Sequence, residues 1–108
     1  MKNRIIETAT IHLRADKTEQ DLVAASETFQ RAFLDHQPGF VRRELLHKGG
    51  REYLDLVYWQ DREAAESAMS AAEQSPACAS FFSVMEVDDK DPTAGVSLYR
   101  TLCAYSGW

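Results

Sequence analysis

FVRRELLHKGGREYLDLVYW, residues 40–59, decides the fold. Two runs, 40–47 and 52–59, flank Lys48-Gly49-Gly50-Arg51. Both runs carry valine, aromatic and leucine side chains, which suit a pleated surface. Two adjacent glycines tolerate the positive φ angles of a tight connection, so the stretch reads as a β-hairpin. A symmetric loop of two or four residues gives one pairing. Phe40 then faces Trp59, Arg42 faces Val57, Glu44 faces Asp55 and Leu46 faces Tyr53. On the other side Val41 faces Tyr58, Arg43 faces Leu56, Leu45 faces Leu54 and His47 faces Glu52.

Working outward, a helix is expected on each side of the hairpin and a strand at each end. Residues 4–14 read as a strand, with Ile5, Ala9, Ile11 and Leu13 alternating with Ile6, Thr8, Thr10, His12 and Arg14. Thr18-x-x-Asp21 has the spacing of a capping box. Leu22, Ala25, Ser26, Phe29 and Phe33 follow at helical spacing, and the helix should end by Gln37, because a residue before proline leaves the α region. Asp61 caps a second helix with a small-residue stripe of Ala65, Ala68, Met69 and Ala72. Ser75-Pro76 starts a further helix, to residue 86, that turns Cys78, Phe81, Phe82 and Met85 inward. Residues 87–94 read as a polar loop and 96–105 as the last strand.

The order strand, helix, strand, strand, helix, strand over 1–108 predicts a single α+β domain of ferredoxin-like βαββαβ type: a four-stranded antiparallel sheet with its helices on one face. Two helices cover one sheet face only, and both hairpin faces are largely apolar. The uncovered face therefore predicts a homodimer in which two sheets meet.

Composition narrows the function classes. The chain has 108 residues, 44% hydrophobic and 27% charged, as in a globular domain. Its net charge of -5 disfavours nucleic acid, which needs a basic face. No apolar run approaches the roughly 18 residues of a membrane helix, and the N-terminus lacks a signal-peptide core, so a cytoplasmic location is expected. Cys78 and Cys103 lack CxxC or metal-finger spacing and read as free thiols. There is no phosphate-cradling glycine loop and no nucleophile elbow.

Three motifs in order carry a resemblance: His36-Gln37-Pro38-Gly39-Phe40, then Val57-Tyr58-Trp59-Gln60-Asp61-Arg62-Glu63-Ala64, then Ser75-Pro76 with Phe81-Phe82. With the topology, they make the sequence resemble the antibiotic biosynthesis monooxygenase family of dimeric α/β barrels. The resemblance implies a homodimer with a small-molecule site. It also implies cofactor-free oxygenation of an aromatic or quinol-type substrate. Haem-degrading members carry a histidine nine or ten residues after the strand-ending tryptophan. Here those positions are Ala68 and Met69, which argues against haem breakdown.

On that reading His12 is the base, Tyr99 a hydrogen-bond donor, and Tyr58 and Trp59 are walls. Trp59 also reads simply as the corner of the core. Glu44 and Asp55, placed side by side, form a charge network with the diagonal Arg42, or one of them has a raised pKa and acts as a base. No cofactor and no metal is expected. A non-catalytic ligand-binding or stress-associated dimer and an isomerase or lyase on the same fold stay open beside the oxygenase.

Overall fold

The computed structural model describes residues 4–87 and 94–107. Four strands, β1 (Ile5–His12), β2 (Phe40–Gly49), β3 (Glu52–Trp59) and β4 (Val96–Arg100), form one antiparallel sheet in the order β2-β3-β1-β4. Helices α1 (Glu19–Ala32), α2 (Arg62–Ala72) and α3 (Pro76–Phe82) cover one face. This is the ferredoxin-like α+β arrangement. Most of the expected loop 87–94 lies outside the described residues.

The helices start where the sequence places them. Thr18 Oγ1 accepts from Asp21 N–H at 3.1 Å, and Asp21 Oδ2 accepts from Thr18 N–H at 2.8 Å. Asp61 Oδ1 accepts from Ala64 N–H at 2.9 Å, and Ser75 Oγ from Cys78 N–H at 3.3 Å. Each bond satisfies an amide that has no partner within its helix. Helix α1 stops at Ala32, short of the expected Gln37, and a 3-10 turn (Leu34–His36) carries the chain to Pro38. Helix α3 ends at Phe82 rather than 86. The chain then returns to β1, where Glu86 N–H donates to the His12 carbonyl at 2.8 Å.

The core lies between sheet and helices. Ile5 and Ile11 of β1 and Val57 and Trp59 of β3 meet Leu22 and Phe29 of α1 and Phe81 of α3. Phe29 stacks on Phe81 with centroids 4.8 Å apart, a favourable aromatic separation. The alanines of α2 bring it close to the sheet, where Ala65 is fully buried. Gly39 completes that corner at φ +81, and a Cβ there would stand 2.5 Å from Ala64 Cβ. Gly39→Ala therefore combines a left-handed backbone with a clash. It should cost about 2 kcal/mol, read as a lower urea midpoint at unchanged slope.

Two expectations need correction. The hairpin is not symmetric: register shifts fall between Phe40 and Arg42 and between His47 and Gly49. The extra residue, Val41, moves every residue from Arg42 to His47 to the opposite parity. Leu45, not Glu44, is the partner of Asp55, and Arg43, not Arg42, pairs with Val57. Glu44 lies opposite Leu56 and bonds the exposed Arg42 at 3.2 Å. The last strand also ends at Arg100 rather than Tyr105. Its ladder runs out opposite Ile5, and one further bond, Thr101 N–H to the Arg4 carbonyl at 3.0 Å, closes it. Leu102 and Tyr105 beyond it are exposed.

Candidate active site

A cavity of about 800 Å³ opens between the helix-facing side of the sheet and the three helices. Its size suits a small organic ligand. Trp59 from β3, Phe29 from α1, Met69 from α2 and Phe81 from α3 supply its apolar walls. Glu7 of β1 and Asp55 of β3 also reach the lining. They share a face with Trp59 because Ile5 pairs with Trp59, Glu7 with Val57 and Ala9 with Asp55.

Glu7 is held by Trp59, whose indole Nε1–H donates to Glu7 Oε1 at 2.8 Å. Among the described residues no donor is placed on Oε2. Burial pushes the Glu7 carboxyl above its usual range, the Trp59 bond opposes that rise, and the nearby Asp55 charge adds to it. The charged form is thus disfavoured in the fold relative to the unfolded chain. That penalty is full above the raised folded pKa. It disappears as pH falls through that pKa and below the unfolded value. Glu7→Gln, which retains an oxygen for Trp59, should raise Tm by about 3 °C at pH 7.5. The gain should vanish by pH 4, as scanning calorimetry can check.

Asp55 has a cation of its own. Arg43 Nε and Nη2 contact its two carboxylate oxygens at 2.8 and 3.2 Å, both side chains being under 8% exposed. The guanidinium also donates to the Ser26 carbonyl at 3.3 Å and Gln30 Oε1 at 3.4 Å. Its carbon lies 5.2 Å from the Phe29 ring centroid and 5.3 Å from that of Phe81, within cation–π range. Burial pushes the Asp55 carboxyl above its usual range, and the two-point contact with Arg43 and the Leu56 backbone N–H oppose that rise. With a guanidinium that stays charged, the pair is ionic at neutral pH.

The expected site residues divide between the two sheet faces. Trp59 and Asp55 face the cavity. Tyr58, Arg42, Glu44 and Tyr99 lie on the outer face, where Tyr99, Ile6, Tyr58 and Arg42 form one cross-strand row. His12 borders the cavity, but its ring is half-exposed and its Nδ1 stands 3.7 Å from Glu52 Oε1. Cys78 is a buried free thiol on the lining, pushed up by burial, and Cys103 is exposed. Among the described residues no group of three or more His, Cys, Asp or Glu could hold a metal ion. No helix among them is long and apolar enough to cross a membrane.

Sequence reading missed Glu7 and Arg43. Glu7 had a signal: it is the one charged residue on the parity of Ile5, Ala9 and Ile11. Arg43 had none without the bulge.

The chain has the fold of the antibiotic biosynthesis monooxygenase proteins. It superposes on a putative antibiotic biosynthesis monooxygenase from Bordetella bronchiseptica with a TM-score of 0.72 at 13% identity, covering 96% of this chain and 100% of that one. SnoaB, a cofactor-independent oxygenase from Streptomyces nogalater, gives 0.68 at 15% identity and 96% coverage of both. A haem-degrading protein from Mycobacterium tuberculosis gives 0.62 at 16%, covering 95% and 99%. No family model and no curated protein matches the sequence.

Proposed function

We propose that the protein is a cofactor-independent oxygenase that binds a hydroxylated aromatic in the cavity and uses Glu7 as its base. The observation that carries this reading is a buried carboxyl, fixed by an indole N–H, inside an apolar cavity of ligand size. A raised carboxyl pKa brings a base closer to a phenol's own, which favours proton transfer. Glu7 takes the hydroxyl proton, and the electron-rich ring anion reacts with dioxygen. One oxygen atom enters the ring and the other leaves as water, so the substrate supplies all the electrons. The aromatic walls exclude water from the anion. The structural likeness to SnoaB supports the reaction class. Ala68 and Met69 line the cavity where a haem-degrading site would need an imidazole.

The test is incubation with 1-naphthol under isotopically labelled dioxygen. One labelled atom in a quinone product, and no product under nitrogen, is the expected result. Turnover without oxygen would mark an isomerase or lyase instead, and bound but unchanged ligand a non-catalytic binder.

The outer sheet face supports a homodimer. Ile6, Leu54, Leu56 and Tyr58 form an apolar surface that no helix among the described residues covers, with the exposed Leu46 and Tyr99 beside it. Such a patch is the usual mark of an interface. Sedimentation at micromolar concentration should give a dimer, and Leu56→Asp should give a monomer. A monomeric wild type would contradict the dimer.

A further inference from the structure

We infer that the cavity is a charge filter, taking neutral hydroxylated aromatics and turning away their carboxylated counterparts. The inference rests on the cavity being the substrate site. Four acidic residues line it, Glu7, the buried Asp55 and the exposed Glu73 and Glu86, and among the described residues no lysine or arginine does. Arg43, the cation paired with Asp55, is already engaged: Asp55 takes two of its nitrogens, Ser26 and Gln30 take the third, and Phe29 and Phe81 hold its faces. Four of its five N–H groups are thus taken, and Arg43 is not among the residues that line the cavity. A ligand hydroxyl, by contrast, donates to Glu7, on which the described residues occupy Oε1 alone. A ligand carboxylate in the same place would meet Glu7 at hydrogen-bond distance with no proton between them. The chain's net charge of -5 adds a weaker repulsion from further away. In a partly buried site one such like-charge contact is worth more than tenfold in affinity.

The experiment is calorimetric titration of the full chain at pH 7.5 with 1-naphthol, 1-naphthoate and the neutral 1-naphthamide. 1-Naphthol should bind at least about tenfold more tightly than 1-naphthoate, with the amide near the naphthol. Glu7→Gln should narrow the naphthol–naphthoate gap at least about threefold, chiefly by improving naphthoate. Equal binding of naphthol and naphthoate overturns the filter, as does an amide rejected as strongly as the carboxylate, since shape then discriminates. So does a gap unchanged in Glu7→Gln. The wild-type comparison stands alone if that variant does not fold. Selective binding without oxygen uptake would leave the filter standing and overturn the oxygenase. Oxygen uptake with unselective binding would do the reverse, and no binding of either neutral ligand overturns both.

Discussion

Replacing Arg43 with methionine should destabilise the protein by about 3–5 kcal/mol, a large share of a domain's total stability. The cost does not measure what the ion pair contributes. It arises because Asp55, 5% exposed, keeps its charge and loses the guanidinium that holds both its carboxylate oxygens. The Phe29 and Phe81 rings also lose the cation between them. The sign with pH follows from the same cause. Without Arg43, burial is opposed by the Leu56 backbone N–H but no longer by a cation, and the Asp55 pKa rises further. The deficit should therefore be largest at pH 8 and shrink as acid supplies the proton. The double variant Arg43→Met, Asp55→Leu removes both charges and should recover most of the loss. Urea denaturation of the three proteins decides it. A single variant within about 1 kcal/mol of wild type would mean the pair is wetter than the structure shows.

Glu7→Gln should lower kcat for 1-naphthol oxidation by about 10²–10⁴-fold, the usual contribution of a general base. KM should change little, because glutamine still accepts from Trp59 and still fills the same volume. The wild-type rate should fall as pH drops through the raised Glu7 pKa, since a protonated carboxyl cannot take the substrate's proton. That limb should be missing in the variant. A variant that keeps the wild-type rate and the same pH limb would remove Glu7 from the chemistry. His12, whose ring stands beside Glu52, would then be the next base to replace.

The fold was legible because local and global signals agree. Thr18, Asp61 and Ser75 announce three helices, Gly49-Gly50 announces the hairpin, and each does in the structure what its chemistry suggests. The site was less legible, for two physical reasons. A bulge at Val41 has no residue signature of its own here, yet it inverts the parity of six residues. The symmetric pairing therefore set Glu44 against Asp55 and overlooked Arg43. Glu7, for its part, sits where an apolar residue belongs. Only the pairing of β1 with β3, two elements far apart in the chain, shows that the indole of Trp59 reaches it. Trp59 is thus both of the things the sequence allowed: a core corner, 1% exposed, and a wall of the cavity.

The most direct measurement is a crystal structure of the protein with 1-naphthol. The ligand ring should lie in the cavity against Trp59, with its hydroxyl oxygen about 2.6–3.2 Å from Glu7 Oε2. A naphthol bound on the outer sheet face, or in the cavity with its hydroxyl turned away from Glu7, would contradict the account.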